Sequence, residues 1–417
     1  MDNKNLLENV KWTAWFPRKE LSPEFAVADN NGNDKLSISM GDDINLYGKF
    51  LSSEIYIDSP MIIFEASFSC QNAVNQEKCI FAMISFYNSE KVLLERDYAD
   101  IIDSKLYRKL DAPENAAYLI LELGVRWCAN AVVEFENISL KPAESEPPRL
   151  VKIATTYQDQ QDTPGENLQD MIRVISKAGE SNPDVILLSE LVYESYYKDP
   201  IKLAQPVPGV LTEKIGEYAK KYNTYIIFSM NEQDGDIIYN TAVIIGRDGK
   251  VCGKYRKIHL PLSEAESGTS PGDTHGIFDL DFGRIGVIIC YDQMFLESSR
   301  TLALMGAEII FIPTMGEDEI LHKAIARSNG VYVTVSGYAG AKSSRIANPL
   351  GEVINCVQSK EASYAVEQID LNKRHFVYWM SIGAGNGELN SLFQKERAIN
   401  TYDNLNKETH KLRIPKN

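Results

Sequence analysis

The sequence predicts an all-β sandwich of the jelly-roll type followed by an α/β domain. A chain of 417 residues is longer than one hydrophobic core usually serves, so two domains are expected. Residues 1–140 show short apolar–polar alternation between polar turns, and from residue 150 strand patterns alternate with helical patterns. The prolines within residues 141–149 predict an extended linker, and residues 150–417 are assigned to the α/β domain with a C-terminal extension.

The sandwich prediction depends most on residues 62–70, where every second residue is apolar. This period of two is typical of a strand with one buried face. Residues 79–87 and 117–123 are further strand candidates, and polar clusters at 30–34 and 41–43 indicate turns. Because no clear amphipathic helix pattern interrupts these segments, they predict a β-sandwich.

The second domain is predicted from an alternation of two periods. The predicted elements are, in order, strand 151–154, helix 168–178, strand 185–188, helix 212–222 and strand 225–229. This order is typical of an α/β domain. Tight-turn sequences at 247–250 and 281–284 indicate hairpins, so part of the sheet is expected to be antiparallel.

Charge and composition argue against several classes of function. The net charge of −15 (43 − 58) disfavours nucleic acid or an anionic membrane as the main partner. No apolar stretch approaches the roughly 20 residues that span a bilayer, and no secretory signal is visible. The six cysteines and five histidines are scattered without metal-ligand spacing. We therefore expect a cytoplasmic protein with no metal and no cofactor, and at least four of the cysteines buried.

Three reactive side chains lie at the ends of apolar strands, in the order Glu190, Lys257 and Cys290. A thiol at a rigid strand tip can be aimed as a nucleophile. Taken singly, each residue has an ordinary explanation, because a cysteine that ends an apolar strand is most often a small buried side chain and a carboxylate or ammonium group there is usually solvated. The ordered trio is more specific, and it predicts a hydrolase that cuts carbon–nitrogen bonds.

A free thiol has a pKa of about 8.5, so it needs a base, a positive neighbour or both. Glu190 is the better candidate for the base, because partial burial raises the basicity of a carboxylate. His259 is a weaker candidate, because it shares a strand end with Lys257 and strand alternation turns the two side chains apart. Lys257 and the backbone N–H of Tyr291 would donate to the oxyanion that forms when Cys290 attacks a carbonyl.

These residues resemble the Glu–Lys–Cys triad of the nitrilase, or carbon–nitrogen hydrolase, superfamily. The motifs that carry the resemblance include Leu187-Leu188-Ser189-Glu190, Tyr255-Arg256-Lys257-Ile258-His259 and Ile288-Ile289-Cys290-Tyr291-Asp292. The resemblance covers residues 150 to about 370 and implies a four-layer α-β-β-α sandwich and a homo-oligomer, a dimer or larger. It also implies a second catalytic glutamate in the loop after Lys257. Glu264 has the matching spacing (264 − 257 = 7), and Glu266 is its rival.

The resemblance also bears on the substrate. Cys-Tyr-Asp after the strand is similar to the amidase-like branches, whereas nitrile-cleaving branches more often carry Cys-Trp-Glu. We therefore expect a small linear amide or carbamoyl (ureido) compound as the substrate. The alternatives are a nitrilase, an acyl-transferring relative, or a scaffold or glycan-binding protein with a vestigial site. Specificity is expected in the loops 191–205, 262–275 and 315–320.

The N-terminal segment bears a weaker resemblance to the carbohydrate-binding-module-like sandwiches attached to some of these hydrolases. Trp12, Trp15 and Trp127 carry that resemblance. Exposed tryptophans would stack on a sugar and make a carbohydrate contact. The alternative, which the sequence favours, is that these tryptophans are core residues.

Overall fold

The structure is a computed structural model. It describes residues 5–30, 33–158, 160–194, 200–316, 318–337, 343–359, 361 and 363–406. The chain divides into two compact units, one formed by Met1–Pro147 with Phe376–Asn417 and the other by Pro148–His375. Of the turn signal predicted at 30–34, residues 31 and 32 lie outside the described residues.

The N-terminal part of the first unit is built from strands and one short helix, α1 (Gln76–Cys79). The strands are β1 (Trp12–Trp15), β2 (Glu24–Asn30), β3 (Asn33–Ser39), β4 (Tyr47–Ser52), β5 (Ile55–Tyr56), β6 (Met61–Gln71), β7 (Ile80–Tyr87), β8 (Leu93–Tyr98), β9 (Asp100–Ile102), β10 (Lys105–Asp111), β11 (Tyr118–Arg126) and β12 (Val132–Ala143). They form two sheets, β2-β3-β12-β6-β10-β9 and a second sheet in which β1-β4-β11-β7-β8 are neighbours.

One hydrophobic core lies between these two sheets. On β6 the alternating residues Ile62, Phe64 and Phe68 are buried in it, and Ile84 and Phe86 of β7 belong to the same core. The period of two therefore places one face of each strand in the core. The predicted β-sandwich is confirmed.

The second unit carries two six-stranded sheets, β17-β16-β15-β14-β13-β24 and β18-β19-β20-β21-β22-β23. Its elements are β13 (Leu150–Thr156), α2 (Pro164–Gly179), β14 (Val185–Leu187), α3 (Val210–Tyr222), β15 (Tyr225–Asp234), β16 (Ile237–Ile245), β17 (Val251–Arg256), α4 (Leu262–Glu266), β18 (Gly276–Leu280), β19 (Gly283–Val287), α5 (Leu296–Leu304), β20 (Ile309–Pro313), α6 (Glu319–Asn329), β21 (Tyr332–Ser336), β22 (Ser344–Ala347), β23 (Val353–Val357) and β24 (Tyr364–Asp370). The predicted hairpins join β16 to β17 and β18 to β19 as antiparallel pairs.

The layers of this unit follow from its strand sequences. Val185 and Leu187 of β14 face a core that they share with Ile285 and Val287 of β19, so the two sheets pack face to face. Ile186 points the other way, into a second core that includes residues of α2 and α3. A third core joins α5 and α6 to the other sheet. Because both faces of each sheet are covered, the sequences of the strands are almost continuously apolar. The four-layer α-β-β-α sandwich is confirmed.

Helix α2 shows how local sequence sets an element's limits. Thr163 caps it by accepting a hydrogen bond from the Glu166 N–H, and Pro164 occupies the first turn, where its missing N–H costs nothing. Met171 and Ile175, four residues apart, are buried on the face that packs against the sheet. None of the helices in the described part of the chain is long and apolar enough to cross a membrane.

The C-terminal segment groups with the first unit, whereas the sequence analysis placed it in the α/β domain. It contains β25 (Phe376–Tyr378), β26 (Asn386–Glu388) and α7 (Leu389–Lys395). The physical reason is twofold. Strand β26 pairs in parallel with β8, and Leu392 of α7 is buried against a cluster that includes Phe81 and Met83. Neither interaction leaves a sequence signal, since both join residues far apart in the chain.

We expect Leu392→Ala to lower the free energy of unfolding of the first unit by about 2–4 kcal/mol, because it removes a side chain that is only 2% exposed. Leu405→Ala is the matched control, since Leu405 lies in the same segment but is 66% exposed and should change stability by less than about 0.5 kcal/mol. Thermal unfolding followed by circular dichroism measures both. Equal effects would contradict the packing of α7.

Candidate active site

The three predicted residues, Glu190, Lys257 and Cys290, lie close together at the ends of three strands of the second unit. Glu190 follows β14, Lys257 follows β17 directly, and Cys290 follows β19. β14 and β17 belong to one sheet and β19 to the other. Because the two sheets pack face to face, the glutamate and the lysine approach the thiol from the opposite layer. The structure brings all three residues together, as the sequence predicted.

The ammonium group of Lys257 lies between two carboxylates. Its Nζ is 2.9 Å from Oε1 of Glu190 and 2.5 Å from Oε1 of Glu264. Lys257 and Glu190 are each only 1% exposed. Burial by itself lowers the pKa of Lys257, but the charges of Glu190, Cys290 and Glu264 outweigh it and the net shift is upward. Lys257 is therefore held as a cation at neutral pH.

Of the two candidates for the second glutamate, Glu264 and not Glu266 contacts Lys257. Glu264 lies on α4 and contacts the Lys257 ammonium, whereas Glu266 is exposed. Burial, and next the negative charge of Glu190, raise the pKa of Glu264, while Lys257 opposes that shift. The charge of Glu190 thus disfavours the ionised form of Glu264, and the lysine between the two glutamates favours it.

Two groups that the sequence analysis missed complete the surroundings of Glu190. Nδ2 of Asn240 donates to Oε1 of Glu190 at 2.9 Å and to Oε2 of Glu264 at 3.2 Å. The backbone N–H of Met315 donates to Oε2 of Glu190 at 3.0 Å. The only sequence signal for Asn240 is a polar residue within an apolar strand, and a backbone donor such as Met315 has no signal at all.

Cys290 is held in an uncommon backbone conformation. Its φ is +40°, in the left-handed region that non-glycine residues rarely occupy. Such strain clusters at functional sites, where the surrounding structure enforces it. Burial raises the pKa of the thiol, and the charge of Glu190 raises it further, while Lys257, Thr314 and the Met315 N–H act in the opposite direction. The net shift of the Cys290 pKa is upward, which favours the neutral thiol at rest.

Asp292 fixes the turn that carries Cys290. Its Oδ2 accepts from the Ile289 N–H at 3.0 Å and from the Tyr255 hydroxyl at 2.7 Å. Its Oδ1 is 2.9 Å from both the backbone N and Nδ1 of His259, whose ring stacks on Phe295. His259 thus supports the turn by hydrogen bonding and stacking.

Tyr291 follows Cys290 in the first turn of a 3₁₀ helix spanning Cys290–Met294. Backbone N–H groups in a first helical turn have no partner within the helix, so the Tyr291 N–H is free of intrahelical bonding. Among the residues that the structure describes, no group of three or more His, Cys, Asp and Glu side chains is arranged to hold a metal ion.

The expectation that at least four cysteines are buried is wrong. Cys79 and Cys128 are buried, whereas Cys252 and Cys356 are exposed and Cys70 and Cys290 are intermediate. Cys252 lies on β17 and Cys356 on β23, the outermost strands of their sheets, where one face is less covered.

A comparison with protein families identifies the second unit. A family model described as carbon-nitrogen hydrolase matches residues 152–376, which is more than half of the chain. The chain therefore belongs to the carbon–nitrogen hydrolase family. It is accordingly an enzyme that hydrolyses carbon–nitrogen bonds.

Three curated relatives show how far this similarity extends. The chain is 34% identical over 246 residues to a nitrilase of Pyrococcus abyssi, covering 54% of this chain and 93% of the relative. It is 35% identical over 194 residues to omega-amidase NIT2 of Homo sapiens, covering 41% and 70%. It is 30% identical over 264 residues to N-carbamoylputrescine amidase of Solanum lycopersicum, covering 54% and 88%.

Among solved structures, Nit3 of Saccharomyces cerevisiae, a member of branch 10 of the nitrilase superfamily, is similar with a TM-score of 0.50 and 25% identity. The match covers 55% of this chain and 93% of that chain. The shared part is thus almost the whole of Nit3 and about half of this chain.

We expect Lys257→Met to lower the free energy of unfolding at neutral pH by about 3–5 kcal/mol, because it leaves the buried Glu190 and the largely covered Glu264 without a counter-charge. Burial raises the pKa of Glu264 and Lys257 opposes that shift. Without the lysine the pKa of Glu264 therefore lies further above its unfolded value, so the loss is greatest near pH 8 and shrinks toward about pH 5 as this carboxylate takes up a proton. Denaturant unfolding at several pH values measures this.

The matched control for this prediction is Lys254→Met. Lys254 is also paired with a buried glutamate, Glu232, but Arg256 pairs with the same carboxylate and remains in the variant. We expect a change below about 1 kcal/mol, since the Lys254 side chain is 41% exposed. A loss at Lys257 no larger than this would contradict the buried charge cluster.

Proposed function

We propose that this enzyme hydrolyses a small linear amide or carbamoyl compound through a thioester on Cys290. Glu190 is the general base, Lys257 the oxyanion donor, and Glu264 the residue that holds the lysine. The proposal rests on one observation, a cluster in which the Lys257 ammonium is 2.9 Å from Glu190 and 2.5 Å from Glu264. Beside this cluster lies the thiol of Cys290, whose backbone is in a strained conformation.

The first half of the reaction forms the thioester. Sγ of Cys290 attacks the carbonyl carbon while its proton passes to Glu190, which the raised thiol pKa makes necessary. Lys257 and the Tyr291 N–H donate to the oxyanion of the tetrahedral intermediate. When the intermediate collapses, the carbon–nitrogen bond breaks and Glu190 returns the proton to the leaving amine.

The second half consumes water. A water molecule attacks the thioester carbon with its oxygen, and Glu190 takes a proton from that water. The same donors stabilise the second oxyanion, the carbon–sulfur bond breaks, and the proton returns to the thiolate of Cys290. The product is a carboxylic acid, or a carbamic acid where the substrate is a carbamoyl compound.

Asn240 and Glu264 have positioning roles in this scheme. Asn240 donates to both carboxylates, so Glu190 keeps one orientation while it gains and loses the proton. Glu264 provides a second negative charge beside Lys257, which favours the ammonium form even when Glu190 is protonated. The oxyanion donor therefore persists throughout the cycle.

The substrate class is supported by the relatives. Two of the three are named as amidases and one of these as acting on a carbamoyl compound, while the third is a nitrilase, which remains the alternative. A vestigial site is disfavoured, because a buried cluster of charged groups is costly relative to apolar side chains and would not be expected to persist without a function. Of the predicted specificity loops, 191–205 includes residues 195–199 and 315–320 includes residue 317, which lie outside the described residues.

Two further expectations from the sequence remain part of the proposal. A homo-oligomer is expected from the resemblance, and light scattering of the full chain would show a monomer mass if this is wrong. A cytoplasmic location is supported by the six cysteines, all of them described and none of them in a disulfide. Fractionation of expressing cells tests it.

We expect purified enzyme to release ammonia from members of a panel of small linear amides, carbamoyl amines and nitriles. Cys290→Ala should show none, because the nucleophile is gone. On the best substrate, Glu190→Gln should lower kcat by about 10²–10⁴ and Lys257→Met by about 10²–10³. Glu266→Gln is the control and should retain full activity, since Glu266 is exposed. Near-normal rates in any of the three variants would refute the triad.

The two charges beside Cys290 should shift its alkylation by iodoacetamide in opposite directions. Glu190 raises the thiol pKa and Lys257 lowers it. Glu190→Gln should therefore move the pH midpoint of Cys290 alkylation downward, and Lys257→Met should move it upward. Peptide mapping by mass spectrometry against pH measures this, with exposed Cys252 as the internal reference. Slower hydrolysis with an unchanged midpoint in both variants would exclude these contacts.

A further inference from the structure

The outer face of one sheet in the first unit carries a cavity that the hydrolase site does not use. Its volume is about 400 Å³, within the usual range for small-molecule sites. Strand alternation assembles it from side chains that point away from the sandwich core. They include Tyr47 and Lys49 of β4, Arg96 and Tyr98 of β8, and Glu122 and Arg126 of β11. Ser381 and Glu396 of the C-terminal segment line it as well.

The cavity is cationic in a chain whose net charge is −15. Four lining residues are cationic, namely Lys49, Lys78, Arg96 and Arg126, and two are anionic, namely Glu122 and Glu396, so the local balance is +2 (4 − 2). Glu122 is already paired with both Lys49 and Arg96.

Arg126 and Lys78 have no carboxylate partner among the residues that the structure describes. Arg126 is only 8% exposed. Its guanidinium donates to the Lys78 carbonyl and to the Tyr98 hydroxyl, and it lies over the Trp127 ring at 4.6 Å. A buried cation without a counter-ion is costly, and an anionic ligand would supply the missing charge.

Trp127 provides a second, independent observation. Its φ is +56°, a left-handed conformation that is an outlier for a bulky aromatic residue, yet its side chain remains 45% exposed. In this left-handed conformation the Trp127 ring lies beside Arg126 and Lys78, and the Lys78 ammonium is 5.6 Å from the ring centre. The ring gains no burial from this strain. Trp15 is also exposed, at 38%, and packs on Tyr47. The interpretation of Trp15 and Trp127 as core residues is therefore wrong.

We propose that this cavity binds an anionic saccharide, with a sugar carboxylate on Arg126 and Lys78 and a sugar ring against Trp127. An exposed indole offers a flat apolar face to the C–H groups of a sugar ring. The guanidinium supplies donors that match a carboxylate. Glu396 lies in the same cavity. Its Oε1 accepts from the Tyr98 and Ser381 hydroxyls, and its second oxygen is an acceptor for a sugar hydroxyl. The site lies outside the hydrolase unit, so the proposal stands apart from the reaction at Cys290.

Isothermal titration of the full chain tests this with three probes, D-glucuronate, its methyl ester and acetate. The ester keeps the ring and removes the charge, while acetate keeps the carboxylate and removes the ring. We expect glucuronate to bind at least about tenfold more tightly than either, and less tightly as salt increases. Equal binding of the ester would mean a neutral-sugar site, and equal binding of acetate a plain anion site. Either result, or no binding of glucuronate, overturns the proposal.

A variant and its matched control test whether glucuronate binds in this cavity. Trp127→Asn removes the ring, and asparagine tolerates a positive φ, so the backbone should persist. Trp379→Asn is the matched control, because Trp379 is 60% exposed and has a φ of +64° but does not line the cavity. We expect about tenfold weaker binding in the first and no change in the second. Equal losses would overturn the assignment.

Lys78→Gln tests the charge independently, should Trp127→Asn fail to fold. It removes an ammonium group with no carboxylate partner and should weaken glucuronate binding while flattening its salt dependence. Unchanged binding and salt dependence would refute the role of the cation. Amide hydrolysis should stay at its normal rate in all three variants. The saccharide proposal is therefore judged separately from the proposed function.

Discussion

The second unit depends on one buried lysine. Lys257 forms ion pairs with two carboxylates, and its single positive charge offsets the repulsion between them. Its position is set by β17, which ends directly before it, and by the backbone bond from its N–H to the Asn240 carbonyl. Asn240 in turn donates to both glutamates. The strand pairing and the charge cluster therefore stabilise each other, and removal of any member leaves a buried polar group unsatisfied.

Cys290 follows a strand of the opposite sheet, and its turn is held in a strained backbone conformation. The positive φ of Cys290 would relax if the chain after β19 could move. Asp292 prevents this by accepting hydrogen bonds from Ile289, Tyr255 and His259. The first two partners lie on or beside the two facing sheets, so the turn is fixed to both layers. A rigid turn keeps the thiol aimed without help from the substrate.

The resting site keeps its proton on sulfur. Burial and Glu190 raise the pKa of the Cys290 thiol more than Lys257 lowers it. A neutral thiol is a weak nucleophile, so in the mechanism we propose it reacts only when Glu190 takes its proton during attack. This arrangement differs from one in which a thiolate is present at rest. Under the proposed mechanism the reactive anion would form only when a carbonyl carbon is in place, and Glu190 would serve as base in one half of the cycle and as acid in the other.

The sequence by itself determined the two fold classes and the strand ends that carry Glu190, Lys257 and Cys290, and it left Glu264 and Glu266 as rival candidates beside Lys257. These features are local, because hydrophobic period and residue order are written in neighbouring positions. Only the tertiary structure decided the roles of Asn240 and the Met315 N–H, the return of β26 and α7 to the first unit, and the exposure of Trp127. Each of these depends on contacts between distant residues or on a backbone dihedral angle, and neither leaves a pattern in a single sequence.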